Sequence, residues 1–195
     1  KRSNIPLFSF REDCLMNKAD KSKLAYIGKV PGNKRDSDSW FTPSIYVEAV
    51  RKTLGDIDLD PFSSKEANRI IKARKFFDLH SDALNKSWQA KTVFMNPPYS
   101  FPACKLAIAK FLSEYEKGAF SQGIVLCNNS TDSKWFHNLL ATCDAFCLMR
   151  GRIAFWNVDG KQVSGNTRGQ VFFYFGGHLQ QFSLHFSAFG KVIRL

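Results

Sequence analysis

The stretch Thr92-Val-Phe-Met-Asn-Pro-Pro-Tyr99 decides the fold of this chain. Its first four residues are apolar or β-branched and predict a short buried strand. Proline has a fixed φ angle and no N–H to donate, so Pro97 and Pro98 end that strand in a rigid turn. Ligands of open α/β sheets bind at the carboxyl ends of the strands. The stretch therefore predicts a functional site at the turn formed by residues 96–99.

The segments on either side of this stretch alternate between helical and extended patterns. Before it, Thr42 as an N-cap and Pro43 in the first turn predict the start of a helix. After it, apolar residues spaced three and four apart over residues 104–115 predict another helix, and residues 123–127 and 145–149 predict strands. Such alternation favours an α/β fold with a mainly parallel sheet flanked by helices.

Two aromatic-rich segments follow, at residues 152–156 and 170–175, and Asp159-Gly160 lies between them. Turn residues between two extended runs are typical of a β-hairpin. The sequence therefore predicts that these two segments pair as an antiparallel C-terminal hairpin at the edge of the sheet.

Length and composition indicate one folded domain. A chain of 195 residues that is 44% hydrophobic can bury one α/β core but not two of ordinary size. Residues 1–39 are rich in lysine and include a polar run without sustained periodicity, which predicts a mobile N-terminal arm. The folded domain is expected to span residues 40–195. No apolar stretch approaches the roughly 20 residues that a membrane helix needs.

The five cysteines are odd in number and contain no C-x-x-C pair, which argues against a disulfide framework or a zinc site. Most of them lie in apolar runs, where a free thiol behaves as a small hydrophobe. The four histidines show no metal-ligand spacing either. We therefore expect a cytoplasmic protein with reduced cysteines and no bound metal.

The chain carries a large excess of basic residues, with 28 Lys and Arg against 17 Asp and Glu, for a formal charge of +11. Such a charge favours polyanions, and nucleic acid is the commonest polyanionic partner of a soluble domain. Arg150, Arg152 and Arg168 flank the predicted hairpin, and Asn166 lies beside Arg168. We expect these four residues to contact phosphates or bases.

The turn at residues 96–99 is suited to a particular chemical problem. The exocyclic amine of a nucleic-acid base is a poor nucleophile, because its lone pair is delocalised into the ring. The side-chain oxygen of Asn96 and the backbone carbonyl of Pro97 can each accept one of its N–H groups, which favours a pyramidal nitrogen. Pro98 keeps the turn rigid, and Tyr99 can stack on the base. A base inside a duplex would have to be flipped out to reach this turn.

A second group of residues fits a cofactor site. Asp60-Pro61-Phe62 ends an earlier strand and precedes a helix, which is where sheets of this kind receive a cofactor. Asp78 follows Asp60 by 18 residues, close to the interval of about 20 at which an acidic residue meets a ribose hydroxyl. Asp82 is placed to contact an adenine ring. The order of these three acidic residues along the chain supports a cofactor site more strongly than any one of them does alone.

Five motifs together resemble the phage-type N6-adenine DNA methyltransferases. They are W-F-T-P at 40–43, D-L-D-P-F at 58–62 with Asn68 after it, N-P-P-Y-S at 96–100, T-D-S-K-W-F at 131–136 and G-R-I-A-F at 151–155. The resemblance implies a class I, Rossmann-like methyltransferase fold, S-adenosylmethionine as the methyl donor, and DNA as the substrate. We expect duplex DNA, although single-stranded DNA remains open on the sequence alone. It also implies that residues 96–99 form the catalytic loop and that Thr42 and Pro43 lie near the methionine end of the cofactor. Trp40, which begins the same motif, is a further expected cofactor contact.

One departure from the pattern concerns the turn after the first strand. Methyltransferases of this fold usually carry a glycine-rich loop there, whereas this chain has Ser63-Ser64-Lys65-Glu66. Because glycine lets the backbone approach a ligand closely, the contacts to the cofactor are expected to differ at this turn.

Other acceptors remain open at this point. The same loop serves enzymes that methylate a glutamine amide in a protein, and RNA adenine presents the same amine as DNA adenine. A protein that has lost catalysis and retains only DNA binding is a further alternative. The charge of +11 favours a nucleic acid over a protein substrate.

Overall fold

The computed structural model describes residues 40–78, 80–157, 160–163 and 167–195. The predicted N-terminal arm, residues 1–39, therefore lies outside the described residues. Within the described ranges, no helix has both the length and the apolar character needed to cross a membrane.

The described residues form a seven-stranded sheet flanked by helices, together with a separate pair of short strands. The helices are α1 (Ser44–Leu54), α2 (Lys65–Ile71), α3 (Ala103–Glu116), α4 (Lys134–Thr142) and α5 (Leu179–Phe186). The strands are β1 (Leu59–Asp60), β2 (Lys75–Phe76), β3 (Thr92–Met95), β4 (Gln122–Asn128), β5 (Ala145–Met149), β6 (Phe155–Trp156), β7 (Gln162–Val163), β8 (Gln170–Phe175) and β9 (Gly190–Arg194).

The large sheet has the strand order β2-β1-β3-β4-β8-β5-β9. Strands β2, β1, β3 and β4 are parallel to one another, while β8 runs antiparallel between β4 and β5, and β9 is antiparallel to β5. Five of the seven strands therefore point in one direction. The predicted α/β fold with a mainly parallel sheet is confirmed.

The predicted pairing of residues 152–156 with residues 170–175 is wrong. Strand β6 pairs with β7, and β8 lies inside the large sheet. All six residues of β8 are buried. A strand that is apolar on both faces must be covered on both sides, so it takes an interior position rather than an edge.

The start of α1 also differs from the expectation. Pro43 occupies the N-cap position and no side chain caps the helix, while Thr42 is buried and is only 2% exposed. The hydroxyl of Thr42 instead accepts a hydrogen bond from Asn96, 54 residues further along the chain. The end of α1 is as expected, since Gly55 follows Leu54 with a positive φ of 83°.

Two hydrophobic clusters cover the opposite faces of the sheet. Helices α3 and α4 contribute to one cluster, and α1, α2 and α5 contribute to the other. Alternate residues of β4 point into each cluster: Val125 and Cys127 into the first, Ile124 and Leu126 into the second. The described cysteines are buried, as expected for thiols that act as small hydrophobes.

The substitution Gly123→Ala should destabilise the fold by overpacking this core. A Cβ at Gly123 would lie 2.6 Å from Cζ of Phe111. The Phe111 ring packs against Phe120 and Phe175, with centroid distances of 5.0 and 4.9 Å, so it has little room to move. We expect a loss of about 1–3 kcal/mol in the free energy of unfolding, measured by urea denaturation.

Gly177→Ala is the matched control, because no atom lies within 4 Å of the added carbon there. Its unfolding free energy should stay within about 0.5 kcal/mol of wild type. Equal stability of the two variants would contradict the tight packing of Phe111 against β4.

Candidate active site

Three parallel strands bring polar side chains to one edge of the sheet. Asp60 ends β1, Asn96 directly follows β3, and Asn128 ends β4. Because β1, β3 and β4 are parallel neighbours, their carboxyl ends meet at the same edge. This is the edge at which ligands of α/β sheets bind.

The side-chain amide of Asn96 is held in one orientation. Its Nδ2 donates to the carbonyl of Trp40 at 3.2 Å and to Oγ1 of Thr42 at 3.4 Å. Its Oδ1 accepts a 2.7 Å hydrogen bond from the hydroxyl of Tyr99. The two acceptors on the nitrogen side leave the amide oxygen facing Tyr99.

Tyr99 lines a pocket of about 160 Å³ beside this amide. An engineered cavity of about 150 Å³ accepts one benzene ring, so the pocket offers space for a flat aromatic ligand. The pocket is lined by Trp40, Tyr99, Asn128, Phe155, Thr167, Arg168 and Gln170.

Aromatic rings form one side of the pocket. The ring of Phe155 lies 6.3 Å from that of Tyr99 and 6.5 Å from that of Trp40. Burial raises the pKa of Tyr99 well above its usual value, and the neighbouring Cys127 and Cys104 thiols act in the same direction. The phenol therefore stays protonated and can donate to Asn96.

The short strand β6 is anchored to the residues that hold Asn96. Phe41 and Trp156 exchange two backbone hydrogen bonds, of 2.8 and 3.1 Å. This bridge fixes Phe155 opposite Trp40, so the walls of the pocket and the orientation of Asn96 depend on the same backbone contact.

Asp60 is a buried carboxyl that is only partly satisfied. Its Oδ1 accepts a 3.2 Å hydrogen bond from the N–H of Phe62. Its Oδ2 and the Oγ of Ser63 are both buried and have no hydrogen-bond partner among the described residues. Burial raises the pKa of Asp60 to about 7, and the hydrogen bond from the Phe62 N–H opposes that rise.

The glycine-free turn after β1 has a structural role. The Oγ of Ser64 accepts a 3.1 Å hydrogen bond from the N–H of Ala67 and so caps α2. Ser63 directs its hydroxyl into the buried space beside Asp60. The two serines thus replace the close backbone approach of glycine with a capped helix and a buried hydroxyl.

The two acidic residues further along the chain form turns. The Oδ1 of Asp78 accepts from the Ser81 hydroxyl at 2.6 Å and from the His80 N–H at 3.0 Å, and the Ser81 bond helps to lower the pKa of Asp78. Asp82 is exposed, has a φ of 46°, and accepts from Asn85 at 2.7 Å. Neither residue reaches Asp60 or Asn96 through a hydrogen bond that the structure records.

The other residues predicted for the cofactor and the catalytic loop lie close to these groups in the chain. Pro43, Pro61 and Pro97 are buried, and Pro98 is partly exposed. The ring of Phe62 packs on Trp88 with a centroid distance of 6.0 Å. These residues shape the backbone around Asp60 and Asn96.

The three described residues that were predicted to contact nucleic acid do not all line the pocket. Arg168 lines the pocket and its Nη1 lies 3.5 Å from Oγ of Ser130. Arg150 and Arg152 are exposed at the end of β5 and the start of the following loop, outside the pocket lining. Asn166 lies outside the described residues.

Sequence reasoning missed Asn128 and Gln170, which line the pocket from β4 and β8. Each is a polar residue at the end of an apolar strand, a signal that could have found them. Phe155 was quoted only as part of a motif. The structure gives it a place in the pocket wall.

The variant Asp60→Asn should change how stability depends on pH. The carboxyl has a pKa of about 7 when folded and about 4 when unfolded. Because the folded state binds the proton more tightly, the stabilising contribution is full below about pH 4 and is lost as pH rises through 7. The difference between the folded and unfolded pKa of Asp60 corresponds to a change of roughly 4 kcal/mol in the free energy of unfolding. Relative to wild type, the variant should therefore gain stability between pH 4 and pH 7 in urea unfolding without cofactor.

Asp78→Asn provides a control of opposite sign. The Ser81 hydrogen bond lowers the pKa of Asp78, so its carboxylate stabilises the fold above about pH 4, and this contribution is lost as pH falls through the lowered pKa. The loss of stability in the variant relative to wild type should therefore develop below about pH 4, as pH rises, and its curve should run parallel to wild type between pH 4 and pH 7. Unfolding curves of Asp60→Asn that run parallel to wild type at every pH would contradict the assigned burial of the carboxyl.

Comparison with known proteins gives the family. A solved structure from Pyrococcus horikoshii, described as a "putative RNA methyltransferase", aligns with a TM-score of 0.44 and 15% identity over 82% of this chain and 97% of that chain. No curated protein matches the chain. The family model for DNA N-6-adenine-methyltransferase (Dam) matches residues 29–188, which is most of the sequence. The chain therefore belongs to the Dam family of methyltransferases, and its sheet is the Rossmann-like fold of such enzymes.

Proposed function

We propose that this enzyme transfers a methyl group from S-adenosylmethionine to the N6 amino group of an adenine flipped out of duplex DNA. The observation that carries the proposal is the fixed amide of Asn96 at the carboxyl end of β3, whose oxygen accepts a hydrogen bond from Tyr99 in the wall of a pocket with three aromatic rings. Family membership supports the choice of DNA adenine.

The pocket supplies what a flipped base needs. Taking a base out of the duplex stack costs a few kcal/mol. Stacking on aromatic side chains contributes about 1–3 kcal/mol per base, which can offset that cost. Tyr99, Phe155 and Trp40 provide such surfaces side by side.

Asn96 would hold the amino group by accepting one of its N–H groups. A side-chain amide oxygen has two lone pairs. Oδ1 of Asn96 can therefore keep the hydrogen bond from Tyr99 and accept a second one from the base. The carbonyl of Pro97 would take the other N–H, so that both amine hydrogens are bound and the lone pair of the nitrogen is directed away from the ring.

The residues near β1 fit the methionine end of S-adenosylmethionine. That part of the cofactor carries an ammonium group, and the unpaired Oδ2 of Asp60 and Oγ of Ser63 are buried acceptors suited to it. When bound, the cofactor supplies a methyl group activated by a sulfonium. Trp40 and Thr42, which accept hydrogen bonds from Nδ2 of Asn96, would enclose the same end together with the adjacent Pro43.

The other residues predicted for the cofactor site would contact the nucleoside part of S-adenosylmethionine. Both recorded hydrogen bonds to the Asp78 side chain are accepted by Oδ1. Oδ2 would therefore be available to accept a hydrogen bond from a ribose hydroxyl. Pro61, Phe62 and Asp82 would pack against or contact the nucleoside. The proposed chemistry requires no metal ion.

DNA binding would rest on the positive charge of the chain. A formal charge of +11 favours contact with phosphates, and neutralising them releases counterions. Arg168 would contact DNA at the mouth of the pocket, with Arg150, Arg152 and Asn166 as further contacts. Binding should weaken as the salt concentration rises.

The variant Asn96→Ala tests the catalytic role. Loss of an oriented acceptor should reduce the rate about 10²- to 10³-fold. The measurement is transfer of labelled methyl groups to unmethylated duplex DNA, followed by digestion to nucleosides and identification of N6-methyladenine. Binding of S-adenosylmethionine, measured by calorimetry, should persist in the variant.

Asn138→Ala is the matched control, since this partly exposed asparagine on α4 makes no recorded side-chain hydrogen bond. It should retain wild-type activity. Labelling of RNA or protein instead of DNA by the wild-type enzyme would overturn the proposed substrate, and full activity of Asn96→Ala would overturn the proposed mechanism.

A further inference from the structure

Asn128 presents an oriented but unused donor to the pocket. It ends β4, is partly exposed, and lines the pocket together with Tyr99 and Gln170. The structure records one hydrogen bond of its side chain, in which Oδ1 accepts from Nε2 of Gln170 at 3.4 Å. No described residue accepts a hydrogen bond from its Nδ2.

The orientation of Asn128 follows from that of Gln170. Gln170 is only 3% exposed. Its Oε1 accepts from the N–H of Ile153 at 3.0 Å, and its Nε2 donates to the carbonyl of Arg168 at 2.8 Å. These two bonds identify which end of the Gln170 amide is the donor. The remaining N–H of Gln170 points to Oδ1 of Asn128, so Nδ2 is the end that Asn128 offers to a ligand.

Asn128 and Asn96 lie on the same face of the sheet. Met95 pairs with Val125, so Asn96 lies level with Leu126, two residues before Asn128. Side chains alternate along a strand, and Leu126 faces the cluster that also contains Phe94. With a rise of about 3.3 Å per residue and strands about 4.8 Å apart, the Cα atoms of the two asparagines are roughly 8 Å apart.

We propose that Asn128 is the residue that recognises the hydrogen-bonding edge of the target base, by donating from Nδ2 to N1 of adenine. The inference rests on the proposed function of the same pocket. It assigns to this enzyme a second amide, which binds the ring nitrogen next to the amino group that Asn96 holds.

This pair of amides matches adenine and opposes guanine or thymine. Adenine presents an amino donor beside the N1 acceptor, which complements Oδ1 of Asn96 and Nδ2 of Asn128. Guanine and thymine present a carbonyl acceptor beside an N–H donor, so both contacts would place like groups against each other. An unpaired polar group in a site from which water is excluded is costly, which makes the pair a selective device. Cytosine has the same pattern as adenine, and the aromatic walls must distinguish the two by size.

The test combines protein variants with a base analogue. Duplex oligonucleotides carry either adenine or 1-deazaadenine, in which N1 is replaced by C–H, at the methylated position. For wild type, kcat/KM should fall roughly 3- to 10-fold on the analogue, as expected for one hydrogen bond. For Asn128→Ala, kcat/KM should be low on adenine and should not fall further on the analogue. Effects of the analogue on base pairing or on the amine itself are common to both enzymes and cancel in the ratio.

Two further variants sharpen the test. Asn129→Ala changes the adjacent asparagine, which is exposed and does not line the pocket, and it should show the wild-type analogue effect. Asn128→Asp replaces the donor with an acceptor of the same shape and should be slower than Asn128→Ala on adenine. Unfolding midpoints and S-adenosylmethionine binding of all variants should match wild type.

The outcomes separate the two proposals. If wild type methylates adenine but Asn128→Ala shows the same analogue effect as wild type, the role of Asn128 is overturned and the proposed function stands. Absence of any analogue effect in wild type would likewise overturn the role of Asn128 alone. If wild type methylates no DNA adenine, the proposed function fails and the role of Asn128 fails with it.

Discussion

The contact between the amide of Asn96 and the backbone before α1 organises the whole site. The nitrogen of this side chain reaches the carbonyl of Trp40 and the hydroxyl of Thr42, so it ties the entry to the first described helix to the carboxyl end of a central strand. A side-chain amide has chemically distinct ends, and its orientation is defined only by its partners. The carbonyl of Trp40 and the hydroxyl of Thr42 define the orientation of the Asn96 amide. Its oxygen is therefore left to accept from Tyr99, which lines the pocket.

A second constraint comes from the position of β8. This strand lies antiparallel between β4 and β5 and is buried along its length. Its first residue, Gln170, pairs with Asn128 at the end of β4. The strand that completes the sheet therefore also delivers the amide that orients Asn128, so the stability of the sheet and the chemistry of the pocket share one backbone register.

The sequence was informative where function depends on local features. The strand Thr92–Met95 and the rigid turn after it were predicted correctly, because apolar runs and proline act locally. The place of β8 was predicted wrongly, because local periodicity does not say which distant strand is a partner. Thr42 was expected to cap a helix, yet its hydroxyl serves Asn96, since tertiary contacts override local propensity. Asn128 and Gln170 acquire their roles only from strand pairing, which explains why they were missed.

The interior position of β8 also has a consequence for synthesis of the protein. Strands β4 and β5 cannot both complete their backbone hydrogen bonds until residues 170–175 have left the ribosome, because β8 lies between them. Pairing between strands so far apart in the chain is slow to form. The growing polypeptide therefore exposes an unpaired apolar edge of β4 from the time this strand emerges until residues 170–175 follow, a state that favours aggregation. The pocket closes only near the end, so an incomplete chain would carry the turn at residues 96–99 without Gln170, which completes the pocket wall.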